Sequence, residues 1–292
     1  MKKLFFIISA TFLPFSSNAW EACGIDANGN TANCEYQIID GTLTIRGTGN
    51  NGNIGDWLES SPPWAAQKAS IHNVVIEDSI KDLGQRAFWA IHTTDPVQVP
   101  SSVTQICDYA FNGSSIAEIV IPNSVTSIGT DAFSWSGLEK INIPDSITSI
   151  NGWSFRGTNI KNLVIPDSVT SIGAHAFTAL SFLETLTISE NTQLEQIFTN
   201  PYSQDLEINT SNLKIYCTGD TAKCDANLAA AGYPELKTSK ATTKQINGVT
   251  YVYDKNGKLV TSSGQRTEKR IYTIDEANAV AGDKNRVSIK YR

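Results

Sequence analysis

Methionine occurs once in this 292-residue chain and histidine three times, and beyond the first nineteen residues there is no run of about 18 apolar residues. No later segment is therefore long enough to cross a bilayer as a helix. Gly-x-Ser-x-Gly, a phosphate loop, His-Glu-x-x-His and Cys-x-x-Cys are all missing, and His72, His92 and His175 stand far in sequence from Cys23, Cys34, Cys217 and Cys224. Nucleophilic, metal and cofactor chemistry has no grouped residues to carry it. No catalytic residue, metal or cofactor is assigned, and a hydrolase is the least favoured class.

Cations are scarce in the first part of the chain. Residues 20–236 hold 9 Lys/Arg against 24 Asp/Glu, a balance of −15, whereas residues 237–292 hold 12 against 5, a balance of +7. An array that acidic repels nucleic acid and anionic lipid, and the change of sign marks a domain boundary.

What is present begins with a secretory pattern: Lys2 and Lys3, an apolar run from Leu4 to Phe15, and Ser17-Asn18-Ala19 at its end. Residues 1–19 are read as a signal peptide. The mature chain is expected at the cell surface or in the medium, with the periplasm as the alternative. Trp20-Glu21-Ala22 before Cys23 does not resemble a lipoprotein cleavage box. In an exported chain five cysteines argue for disulfides, and the simplest pairing is local, Cys23–Cys34 and Cys217–Cys224, with Cys107 left over.

The organising feature is a 22-residue period. Pro100, Pro122, Pro144 and Pro166 each sit in a copy of Val/Ile-Pro-x-Ser-Val/Ile-Thr-x-Ile, followed in step by Ile106, Ile128, Ile150 and Ile172 and by Phe111, Phe133, Phe155 and Phe177. One such unit is too short to bury its own apolar residues, so neighbouring copies must stack. Apolar pairs two apart, from Val74/Ile76 through Ile119/Ile121 to Leu186/Ile188, read as short parallel strands about 4.8 Å apart. Proline ends each strand, and Asp/Asn-Ser turns the chain by bonding its own backbone. The phenylalanines, Phe88 included, form an internal column. The Gly or Asn after most of the isoleucines is expected at positive φ.

Tyr36–Ile39 and Thr42–Ile45, joined by Asp40-Gly41, predict an N-terminal hairpin cap within residues 20–70, with Trp57 and Trp64 closing that end of the core. Repeats with a C-terminal cap fill residues 71–236, and Leu213-Lys214-Ile215 is expected as the last strand. Residues 237–245 are Lys/Ser/Thr-rich and read as a linker. A small basic α+β module, residues 246–292, follows: a hairpin over Val249–Tyr253 and Lys258–Thr261, a helix opened by Thr273-Ile-Asp-Glu276, and a last strand over Arg286–Tyr291.

The phrases IPNSVTSIGTDAF, IPDSITSINGWSF and IPDSVTSIGAHAF, with the entry segment GTLTIRGTG and SPPW, resemble the BspA-type leucine-rich repeat family of microbial surface and secreted proteins over about residues 36–217. The resemblance implies a curved, mostly β leucine-rich-repeat solenoid and a role in protein binding or adhesion to host matrix.

On such a solenoid the outward strand positions are Val75, Gln98, Val120, Asn142, Val164 and Thr187, flanked by Asn73, Glu118, Lys140, Asn162 and Thr185. That weakly charged surface suits an extended protein partner, and Gln98, Val120, Lys140, Asn142, Asn162, Val164 and Thr187 are the expected contact residues. Trp135 and Trp153 either pack over a turn or stand exposed as anchors. Asp78, Asp145, Asp167 and Glu190 recur after the strand, as turn formers rather than cation ligands. The chain is read as a monomeric, non-enzymatic interaction protein, with a host-matrix or envelope protein as ligand. The alternative is an envelope or secretion-associated structural protein whose tail sorts or anchors it.

Overall fold

The computed structural model describes residues 20–25, 30–49, 52–57, 61–199, 201, 210–246 and 249–263. The signal segment, the helix expected from Thr273 and the strand expected at Arg286–Tyr291 lie outside the described residues.

Each coil contributes two short strands, and both sets stack in parallel. The front ladder runs from Asn73–Ile76 through Val97–Gln98, Glu118–Val120, Lys140–Ile141, Asn162–Val164 and Thr185–Ser189 to Lys214–Thr218, with breaks in the pairing between sheets. The rear ladder holds Ile80–Leu83, Gln105–Ile106, Ser127–Ile128, Ser149–Ile150, Ser171–Ile172 and Gln193–Leu194. Register follows the period: Lys140 lies opposite Glu118, Ile128 opposite Ile106 and Ile172 opposite Ile150. Proline follows four of the front strands and opens a turn, the carbonyls of Pro100, Pro122, Pro144 and Pro166 accepting from the N–H of Val103, Val125, Ile147 and Val169 at 3.0 to 3.1 Å. The serine of the motif does something other than bond its own turn. The hydroxyls of Ser102, Ser146 and Ser168 donate to the carbonyls of Ile80, Val125 and Ile147 in the preceding coil, so this position ties neighbouring coils together.

Between the ladders stands the aromatic column. Phe88, Phe111, Phe133, Phe155 and Phe177 are fully buried, with successive centroids 4.9, 5.5, 5.7 and 6.2 Å apart. The row continues to Trp64 and Tyr36 at one end and to Phe198 and Tyr233 at the other. Burying each ring contributes roughly 1.5–3 kcal/mol. Their backbones join in too: Phe88, Phe111, Phe133 and Phe155 donate to the carbonyls of Ala110, Ala132, Ser154 and Ala176 in the next coil.

The left-handed backbone falls elsewhere than expected. Positive φ is found at Arg86, Tyr109, Asp131, Trp153, His175 and Gln196, each two residues before a ring of the column, and again two residues after the ring at Ala90, Gly113, Trp135, Gly157 and Ala179. The glycines expected there serve close approach instead. A methyl at Gly129 would stand 2.5 Å from the Asp108 nitrogen, and one at Gly84 would meet the Gly55 carbonyl. A small residue is needed because two coils touch, which is why Cys107 can share this place.

At the N-terminal end Cys34–Ile39 and Thr42–Gly47 form an antiparallel hairpin, and Thr42–Gly47 adds in parallel to Asn73–Ile76. Trp57 and Trp64 are buried there. The structure pairs Cys23 with Cys34 and Cys217 with Cys224, and Cys107 is free. Burial, reinforced by Asp56, Asp82 and Asp108, pushes the Cys107 thiol up to about 12.

Two corrections concern the C-terminal end. Residues 237–245 are no linker: Thr238–Ile246 is a nine-residue strand whose first half pairs in parallel with Lys214–Thr218 and whose second half pairs antiparallel with Val249–Asp254. Thr238, Thr242, Thr243 and Ile246 are β-branched, and a solenoid end offers an unpaired edge for them to join. The described part of the basic segment is thus continuous with the solenoid sheet, and Lys214–Thr218 is not its last strand. The helix Thr221–Ala230 was not expected from the sequence. Asp220 caps it by accepting from the Ala222 N–H, and an Asp before an alanine-rich stretch closed by Gly232 was the available signal.

Candidate interaction surface

The strand face is where a partner has repeated access, because side chains between the inward pairs recur once per coil. Val75 is 41% exposed, and Gln98 and Lys140 are exposed as well. Lys140 reaches Glu118 at 4.0 Å. Lys140 is the exposed partner and Glu118 is half-buried, and at that separation the pair stabilises little, so the lysine remains available to a ligand. Asn142 is half-buried, its amide bridging to the Ile121 carbonyl and N–H at 2.7 and 3.0 Å. Val120 is buried rather than outward and open.

Farther along, the expectation of exposure fails. Val164 is 3% exposed and packs with Ala241, Val252 and Tyr216. Thr187, between Val164 and Tyr216 in the ladder, is fully buried, as is Thr185. Asn162 accepts a hydrogen bond from the Thr185 hydroxyl. The cause is the C-terminal meander, Thr238–Ile246, Val249–Asp254 and Leu259–Ser263, whose last strand comes back against Asn162–Val164. Ala241 and Val252 face inward over the ladder, while Lys244, Tyr251 and Tyr253 stand on the outer side. Alternation places them so, since residues two apart share a face. Burial of the outer tyrosines, with Tyr251 beside it, raises the hydroxyl pKa of Tyr253.

Acidic side chains fasten the C-terminal segment, one of them to the roof itself and two to the strand Lys214–Thr218 and the helix that precede it. Asp145 accepts from the Gln245 amide at 2.9 Å and Asp167 from the Thr218 hydroxyl at 2.5 Å. Glu190 pairs with Lys223 at 3.1 Å and accepts from the Asp220 N–H, so its carboxyl is held below the usual range by those hydrogen bonds. Three of the four recurring acids read from the sequence as turn formers, Asp145, Asp167 and Glu190, are thus docking points for the C-terminal segment. Among the described residues no group of three or more His, Cys, Asp or Glu is placed to hold a metal, and no helix is long and apolar enough to cross a membrane.

On the turns behind the column, Trp135 is exposed and Trp153 half-buried, with Arg156 between them at 5.0 and 4.6 Å from their ring centres. Trp153 lies 4.3 Å from the ring of His175, which is half-buried and bonded to the Thr199 carbonyl rather than fully at the surface.

The family model for the BspA type Leucine rich repeat region, in six copies, matches residues 64–184 and 104–219. Solved structures similar to this chain include a leucine-rich repeat protein from Eubacterium ventriosum, at 17% identity over 77% of this chain and 47% of that one with a TM-score of 0.39. The T. pallidum Leucine Rich Repeat protein is similar at 20% identity over 60% and 90% with a TM-score of 0.37, and the Pneumococcal vaccine antigen PcpA at 17% over 56% and 60% with 0.32. The chain spans about half the length, 47%, of the Eubacterium protein. No curated protein matches it.

Proposed function

From a chain that belongs to the BspA-type leucine-rich-repeat family, we propose an exported protein-interaction module whose task is adhesion to a host-matrix or envelope protein. The contact surface is the strand face of the first coils, centred on Val75, Gln98 and Lys140. One observation carries this reading: among the described residues the meander roofs the later coils, whereas Val75, Gln98 and Lys140 on the same face of the earlier ones are exposed. An extended partner lying across the coils there meets one side chain about every 4.8 Å, which suits shallow repeated contact better than a small-molecule pocket.

The test is surface capture of purified fibronectin, laminin and collagen by the full-length chain. Gln98→Glu with Lys140→Glu is expected to weaken any captured protein by roughly tenfold, about 1.4 kcal/mol. Ser127→Glu, exposed on the rear ladder, should leave it unchanged. If the rear substitution abolishes capture and the front pair does not, the strand face is not the contact surface.

A further inference from the structure

Six large apolar side chains are exposed among the described residues, and three of them, Trp89, Trp135 and Phe182, lie in the turn leading from the aromatic column back to the strand face. They belong to alternate coils. Trp89 is 39% and Trp135 45% exposed, and each indole extends toward a glycine of the next coil. A methyl at Gly157 would stand 2.4 Å from the Trp135 ring, and one at Gly113 would lie 3.9 Å from Nε1 of Trp89. Gly157 thus lets the Trp135 indole lie along the surface, whereas Gly113 is only in ordinary contact range of Trp89. Two coil steps separate the rings, 4.9 and 5.5 Å in the column behind them.

Cations gather at the same rings. Arg86 and Arg156 are the only arginines in residues 64–219. Arg86 lies 6.0 Å from the Trp89 ring centre and Arg156 5.0 Å from that of Trp135, while the Lys68 ammonium is 4.6 Å above Trp89. Asp131 is the carboxylate facing Arg156, and Asp108 the next one along. In an array otherwise so acidic, three cations beside two exposed indoles single out one edge.

We propose that this edge binds an acidic polysaccharide in an extended two-fold chain, one sugar face stacked on each indole and its carboxylates turned toward Lys68 and Arg156. The C–H face of a pyranose ring packs on an indole, and in a two-fold ribbon equivalent faces recur at every second sugar. The two indoles stand two coils apart, about 10 Å by the strand spacing, at neighbouring positions of the repeat one and two residues after the column ring. A folded protein surface has no reason to share that period, and a neutral glycan would make no use of the cations. This surface is separate from the strand face.

Full-length protein run through gels containing polymannuronate, hydroxyethylcellulose or polyglutamate tests it. Retardation is expected with polymannuronate alone. It should fall roughly tenfold in Trp135→Ala and in Trp89→Ala, the weight of one stacked ring, and fall also in Arg156→Gln. Trp135→Phe, which keeps a ring, should retain it, and Gln98→Ala on the strand face should not alter it; circular dichroism checks that each variant folds. No retardation by polymannuronate overturns the proposal. So does equal retardation by polyglutamate, which would mean charge alone, equal retardation by the neutral polymer, or indifference to both tryptophan substitutions.

Discussion

Val75 and Val164 hold the same place in their coils, yet one is 41% exposed and the other 3%. Nothing in the repeat separates them, since both stand between an inward apolar pair on a parallel strand. The difference comes from outside the repeat, from Ala241 and Val252, which close over Val164, while among the described residues nothing covers Val75 in the same way. In a solenoid the period sets what is buried inside, and the irregular ends decide which outer positions a partner can reach.

The largest effect tests what the two halves share. Phe155→Ala is expected to cost roughly 3–5 kcal/mol in chemical denaturation, because its ring is enclosed by the neighbouring rings and rigid coils cannot close the cavity. A loss below about 1 kcal/mol would mean that no common core links the open and covered halves. Val252→Ala addresses the cover itself and should cost about 2 kcal/mol locally. Hydrogen exchange should then quicken in Asn162–Val164 and Thr185–Ser189 but stay unchanged in Val97–Gln98. Uniform quickening would show that the meander is no local roof.

A smaller effect is expected from acid. The folded pKa of Glu190 is lowered, so its contribution is present above the ordinary glutamate value near about 4.3 and is lost as pH falls through the lower folded value. Exchange in Thr221–Ala230 should rise over that interval in the native chain and show no such step in Glu190→Gln. The smallest effect is a null one on the open half. Cys107, its thiol pushed up to about 12 by burial, should resist alkylation at neutral pH until the chain is unfolded. Rapid modification of the native protein would place a gap behind the bare strands.

Interior positions were legible because they repeat: a buried ring every 22 residues and an apolar pair before each proline follow from the need to stack. The roof left no such mark. Val164 and Val252 meet across 88 positions of the chain, and no local pattern records a contact that distant. Thr238–Ile246 looked like a linker because lysine, serine and threonine are common in linkers, while its β-branched residues count only once an open sheet edge is there to receive them. The glycine after the isoleucine was recognised as special for the wrong reason, since sequence alone does not distinguish a left-handed residue from one pressed against a neighbour. For the outer surface, the same ambiguity let Val120, Val164 and Thr187 read as available when they are not.

The aromatic row ends in tyrosine on both sides. Tyr36 donates its hydroxyl to Glu21, and the Tyr233 hydroxyl accepts from the Phe198 N–H and lies 2.9 Å from that of Thr199. Tyr36 is itself buried within the N-terminal hairpin and Tyr233 is half-buried, so the row closes inside the molecule at both ends. A phenol there is the same ring with a polar terminus attached, and each terminus is satisfied by a partner from its own chain.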